Sequence, residues 1–167
     1  MPLFNPAPQK IEIKLYWKEA KTTSGLMKPV ILDDEKALEQ IAKNKKSQEP
    51  QPVVEGQPVK EIKPVPPEDM VECLTTYWKG LSWQDNNSIT EKASYYNQLE
   101  GYHDLNVWRY RDLRLKNCLL EWDLKDPNGK PVPVSEDVIN MLPTEVIMAL
   151  LNKYDAAVSI SDTDKKK

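Results

Sequence analysis

"EDMVECLTTYWKG", residues 68–80, sets Met70, Cys73, Leu74, Tyr77 and Trp78 at i, i+3, i+4, i+7 and i+8. That spacing marks one face of an α-helix, and Gly80 stands where a left-handed C-terminal cap belongs. The segment follows a proline-rich stretch and opens the most aromatic part of the chain. Nine of the thirteen aromatic residues lie between Tyr77 and Trp122. If it is helical, the body of the protein is a helical domain, and its neighbours can be assigned outward from it.

Downstream, "SITEKASYYNQLEG" (88–101) opens with Ser88 and Glu91 at capping-box spacing. Ile89, Ala93, Tyr96 and Leu99 continue an apolar stripe to Gly101, which predicts a second helix. A third is expected from Asp104, with Leu105, Trp108, Leu115 and Leu119 on one face. The segment "LLEWDL" suits either its last turn or a strand. "DPNGK" (126–130) is a tight turn, because Pro127 presets φ and Asn128-Gly129 accepts the positive φ of hairpins. Around it "EWDL" and "KPVPV" can pair, with Pro131 and Pro133 confining the second strand to an edge. Ser135 then caps a short helix through Leu142, Pro143 ends it, and Thr144 starts a last helix bearing Ile147, Leu150, Leu151 and Tyr154.

Upstream, Ile11, Ile13, Leu15 and Trp17 alternate with Lys10, Glu12, Lys14 and Tyr16, a period of two that predicts a half-buried strand. "TTSG" supplies a turn and "LMKPVIL" a returning strand, which Pro29 places at an edge. A short helix follows, with Asp33 or Asp34 as its cap and Ala37, Leu38 and Ile41 as its apolar stripe. Residues 47–67 hold six prolines and predict an extended linker. The expected organisation is a strand pair and short helix over 1–46, a linker over 47–67, a helical core domain over 68–154 and a flexible tail over 155–167. The expected fold class is α+β, mainly helical, with an N-terminal β-hairpin and one small β-hairpin in the C-terminal domain.

Chemistry is sparse. Five scattered glycines form neither a phosphate loop nor a dinucleotide fingerprint. His103 is the only histidine, and with Cys73 and Cys118 far apart no four-ligand zinc set forms. Both cysteines read as buried small hydrophobes. The pair His103-Asp104 reads as a link between helices rather than as a base and its orienter. No enzyme activity, cofactor or metal is expected. No run of 18 apolar residues occurs, so no membrane span is expected, and the N-terminus lacks the pattern of a signal peptide.

One cluster stands out: all three arginines fall in "VWRYRDLR", beside two aromatics. Trp108, Arg109, Tyr110, Arg111 and Arg114 are therefore the candidate partner-binding residues. Arginine with aromatic neighbours serves single-stranded nucleic acid, protein interfaces and internal salt bridges alike. Residues 68–154 carry 9 basic against 14 acidic side chains, which weighs against nucleic acid.

The pattern "LRLKNCLLEWDLKDPNGKPVPVSEDVINMLPTEVIMALLNKY" resembles the C-terminal region of tail assembly chaperones and small tail-associated proteins of tailed bacteriophages. In those proteins a helix runs into a "W-(N/D)-L-x-D-x-x-G-K-P" hairpin, a capped helix, "LP" and a final helix. Trp122, Asp123, Leu124, Asp126, Gly129, Lys130, Pro131, Pro133, Leu142 and Pro143 carry the match. The resemblance covers residues 113–154; the proline-rich insert lies outside it. It implies a non-enzymatic protein of the bacterial cytoplasm that binds the tape-measure protein and recruits tail-tube subunits. The alternatives are a structural head or tail component of the virion and a small nucleic-acid-binding module.

Overall fold

A computed structural model of the chain describes residues 10–48, 65, 66 and 69–158. Among them are β1 (Lys10–Lys21), β2 (Met27–Leu32), α1 (Asp34–Gln48), β3 (Glu72–Lys79), α2 (Trp83–Ala93) and β4 (Ser94–Asn97). Then come β5 (Tyr102–Leu105), α3 (Val107–Cys118), β6 (Leu119–Trp122), α4 (Glu136–Met141) and α5 (Thr144–Val158). Four strands share a sheet in the order β2-β1-β3-β6, and β4 pairs with β5 alone. The chain divides into two compact units, Met1–Ile13 with Thr75–Lys167, and Lys14–Leu74, so the division falls within β1 and within β3.

The expectation of a mainly helical protein is overturned. About 45% of the described residues are helical and about 31% are in strands. The correction starts at residues 68–80, which form β3 instead of a helix. Leu74, Thr76 and Trp78 are buried and alternate with Cys73, Thr75 and Tyr77, the period of a strand. The sequence "CLTTYW" is rich in β-branched and aromatic residues, which fit a pleated surface. Its helical spacing of apolar residues is real, but Thr76 holds an inward position that a stripe of apolar residues does not reveal. The Thr76 hydroxyl donates to the Ile13 carbonyl at 3.0 Å and accepts the Trp78 indole N–H at 2.7 Å. Both bonds are buried, so the polar side chain is satisfied at each end.

In the unit Lys14–Leu74, β1 and β2 form the expected antiparallel hairpin, with Trp17 opposite Ile31 and Glu19 opposite Pro29. Gly25 closes the turn at φ +83°, a conformation that favours glycine. β2 is an edge strand, where the missing N–H of Pro29 does least harm. In α1 Ala37 is buried outright, whereas Leu38 is exposed. The Asn44 amide donates to the Asp69 carbonyl at 2.8 Å. α1 runs to Gln48, past the expected start of the linker; residues 49–64, 67 and 68, most of that linker, lie outside the described residues.

The other unit centres on Trp78, which is fully buried and stacks on Tyr154 of α5 with ring centroids 4.8 Å apart. The Tyr154 hydroxyl donates to the Lys79 carbonyl at 2.9 Å, tying α5 to the end of β3. Leu115, Cys118 and Leu119 enter the same core with Val146, Leu150 and Leu151. Burial raises the Tyr154 phenol pKa above its ordinary value, and the neighbouring Cys118 adds to the shift. Burial likewise pushes the Cys118 thiol up. Cys73, expected inside, is exposed, because as a β3 residue it lies on the face opposite Leu74.

Three further expectations change. α2 begins at Trp83, capped by Ser82, whose hydroxyl accepts from Asp85 N at 3.0 Å; Ser88 lies inside the helix. The helix stops at Ala93, and "SYYN" is strand β4. The third helix starts at Val107, where the Asn106 side chain accepts from Arg109 N at 3.0 Å. The segment after it resolves to strand β6, which pairs with β3, Thr76 facing Trp122. The "DPNGK" turn forms with Gly129 at φ +78°, and Asp126 Oδ1 accepts from both Asn128 N and Lys130 N at 2.8 Å. Its flanks form no extended ladder but meet at the bridge Lys125–Pro131 and through Val132 N to Leu124 O. Trp122 is half-buried, its indole donating to the Val132 carbonyl at 2.6 Å. Ser135 caps α4 as its spacing predicts, and α5 buries Leu150, Leu151 and Tyr154. α5 runs to Val158; residues 159–167, the rest of the expected tail, lie outside the described residues.

Candidate protein-interaction surface

α2 and α3 are joined by the β4–β5 ribbon instead of a short turn. Ala93 ends α2, Ser94 begins β4, Leu105 ends β5, and Asn106 caps α3. Asn106 N donates to the Ala93 carbonyl at 3.0 Å, closing the root of the ribbon. The tip is set by local chemistry. Asn97 Oδ1 accepts from Leu99 N at 3.1 Å, Gly101 N donates to Asn97 O at 2.9 Å, and Gly101 takes φ +73°. An Asn followed four residues later by Gly suits such a turn.

Register decides what each face displays. Tyr95 lies opposite Asp104 and Asn97 opposite Tyr102, so these four share one face. Tyr96 lies opposite His103 on the other, their rings in an edge contact at 5.3 Å. Adjacent in sequence, His103 and Asp104 therefore point to opposite faces, an arrangement that cannot make one the orienter of the other. On the first face the Tyr95 hydroxyl donates to Asp104 Oδ2 at 3.2 Å, and Tyr102 bonds Glu100. The hydrogen bond to a carboxylate raises each phenol pKa, Asp104 acting on Tyr95 and Glu100 on Tyr102.

The ribbon is short of cover. Tyr95, Tyr96 and Tyr102 are each about half exposed, and Leu99 at the tip is 97% exposed. Val107 and Trp108, in the first turn of α3, are exposed as well, Trp108 at 70%. A two-stranded ribbon is only marginally stable alone, so burial on a partner would stabilise it.

The arginine cluster is split by the structure. Arg114 Nη1 meets Asp155 Oδ1 at 2.6 Å, and its guanidinium lies 5.2 Å from the Tyr154 ring centre and 5.4 Å from that of Tyr110. Arg111 reaches Met148 Sδ at 3.6 Å and Asn152 Oδ1 at 3.2 Å. Both side chains thus fasten α3 to α5. Tyr110 fastens α3 to α2, its hydroxyl donating to Asn86 Oδ1 at 2.8 Å. Of the five candidates, Trp108 and Arg109 remain exposed. Sequence reasoning missed Tyr95, Leu99 and Tyr102 as surface groups, having read Leu99 into a buried helical stripe. The available signal was the Asn97–Gly101 turn chemistry between two aromatic pairs.

Among the described residues no three His, Cys, Asp or Glu side chains converge as a metal site would require, and no helix is long and apolar enough to cross a membrane. No family model matches the chain, and neither does any curated protein or solved structure.

Proposed function

We propose that this chain is a non-enzymatic assembly protein of tailed bacteriophages, a tail assembly chaperone that binds the tape-measure protein and helps recruit tail-tube subunits. The observation that carries the reading is the uncovered apolar surface of Tyr95, Tyr96, Leu99, Tyr102 and Trp108. Exposed aromatic and apolar side chains gathered on one short ribbon and the helix turn that follows it suit an interaction site, and Tyr and Trp dominate binding hot spots. The resemblance over residues 113–154 supplies the class of partner; within it the Trp122 indole bonds the Val132 carbonyl, and Asp126 and Gly129 shape the turn.

The test is coexpression with a tape-measure protein from the same genome, followed by affinity capture. Copurification is expected, and Leu99→Asp with Trp108→Asp should abolish it while far-UV circular dichroism stays unchanged. A tape-measure protein that stays soluble and unbound in the presence of this chain refutes the reading. Retention in mature particles at structural copy number would replace it with the virion component, and oligonucleotide binding with a steep salt dependence would replace it with the nucleic-acid module.

A further inference from the structure

The two faces of the ribbon differ in charge chemistry, and the difference names a partner. Between Ser94 and Leu105 there is no Lys or Arg; Glu100 and Asp104 are the only acidic residues, and His103 is the only histidine. Asp104 stands on the face of Tyr95 and Tyr102, and Glu100 bonds Tyr102 from the tip. His103 is turned to the opposite face against Tyr96. Among the described residues neither Glu100 nor Asp104 meets a Lys or Arg at ion-pair distance. This contrasts with the nearby helices, where Asp112 pairs with Lys116, and Asp155 with Arg114.

The arrangement is therefore two exposed phenol rings interleaved with two carboxylates that no Lys or Arg among the described residues pairs. Each carboxylate already accepts one phenol O–H, yet a carboxylate has about four lone-pair sites and retains acceptor capacity. An aromatic face attracts a cation through its quadrupole, and a carboxylate beside the ring adds to that attraction. Tyr95 and Tyr102 lie diagonally across the ribbon, about 7–8 Å apart at the backbone, so one segment of a partner can reach both. An anionic or nucleic-acid partner is repelled by the same groups.

We propose that the face of Tyr95, Tyr102, Glu100 and Asp104 is the seat of a Lys- or Arg-bearing segment of a partner protein, its cations on the two rings and the two carboxylates and its apolar residues against Leu99. The proposal rests on the reading of the ribbon as an interaction surface and adds the chemistry of what it takes.

The experiment uses the full chain and two synthetic peptides of one length, one of lysine, leucine and serine, the other with every lysine replaced by glutamate. Binding is followed by fluorescence anisotropy of the labelled peptide and by amide shifts in 15N spectra. The lysine peptide should bind, shift residues 95–104 and weaken with added salt, and the glutamate peptide should not bind. Glu100→Gln with Asp104→Asn should lower affinity about tenfold, the size expected of two exposed ion pairs and the ring contacts they support. Tyr102→Phe removes the bond to Glu100 but keeps the ring, so it should retain most of the binding. Equal binding of both peptides, shifts confined to other residues, or no effect of the double variant overturns the proposal. If the tape-measure protein is captured through Leu99 and Trp108 while the lysine peptide fails to bind, this inference falls and the functional reading stands. If both fail, the reading of the ribbon falls with it. Concentration-dependent dimerisation through the ribbon that excludes the peptide would likewise overturn the cationic partner in favour of a second copy.

Discussion

Replacing Thr76 by valine tests the strand assignment of residues 72–79 at its most improbable residue. Valine is nearly isosteric, so packing is preserved while both buried hydrogen bonds disappear. The Trp78 indole N–H is left as an orphaned buried donor, which costs about 1–3 kcal/mol. The Ile13 carbonyl loses an acceptor bond worth about 0.5–1.5 kcal/mol. The extra buried methyl returns about 0.8 kcal/mol, leaving a net loss of about 1–3 kcal/mol. Trp78→Phe removes the donor and part of the ring, and should cost about 2–3 kcal/mol through lost burial and the cavity left beside Tyr154. With Phe at position 78 no indole remains to be orphaned, so Thr76→Val then costs about 0–1 kcal/mol. The double variant should accordingly be more stable than the sum of the singles predicts, by about 1–2 kcal/mol. Urea unfolding of the four proteins by far-UV circular dichroism measures the cycle. On a helix, residues two apart do not face each other, so additivity within about 0.3 kcal/mol would refute the strand and the bond together.

Arg114→Ala should destabilise the protein by about 2–3 kcal/mol, because it removes an ion pair and the cover of two aromatic rings; Arg109→Ala should change the urea midpoint by less than about 0.5 kcal/mol. Comparable effects of the two would contradict the division of the cluster. The exposed Cys73 should react with iodoacetamide in the native protein, whereas Cys118, buried and with its thiol pKa raised, should react only on unfolding, as peptide mass mapping would show. The Tyr154 phenol pKa is raised on folding, so the stability linked to this group is present below its ordinary value of about 10 and is lost as pH rises beyond it. Tyr154→Phe should therefore flatten the fall of the urea midpoint above about pH 10, even though it loses the bond to Lys79; an unchanged slope would reject the linkage. Gly129→Ala should cost about 1–2 kcal/mol at its positive φ, with open space around the added methyl, and unchanged thermal stability would count against the turn geometry.

Elements whose signals are local were legible in the sequence. Pro29 placed β2 at an edge, Ser135 and Pro143 bracketed α4, and the spacing of Leu150, Leu151 and Tyr154 gave the inner face of α5. β3 was not, because its apolar residues satisfy both periods and the tie is broken by Thr76. Its hydroxyl proton goes to the carbonyl of Ile13, 63 positions away, a partner that no local window contains. The ribbon was lost for the opposite reason. Tyr96 and Leu99 were assigned to a buried stripe on the rule that large apolar groups go inside, and here they do not. Part of the candidate site was visible, since Trp108 and Arg109 are exposed beside the ribbon, but helical spacing alone could not reveal that Arg111 and Arg114 lie under the cover of α5.

The hydrogen bond from Asn106 N to the Ala93 carbonyl has a consequence for how such a protein can change over generations. It closes the ribbon at its root, on a helix pair whose own residues Ile89, Ala93, Leu115 and Cys118 are buried. Substitutions at the exposed Tyr95, Tyr96, Leu99 and Tyr102 are then screened more by what the ribbon touches than by whether the chain folds. Recognition can drift or be transplanted as a cassette, while the residues that set the melting temperature stay fixed beneath it.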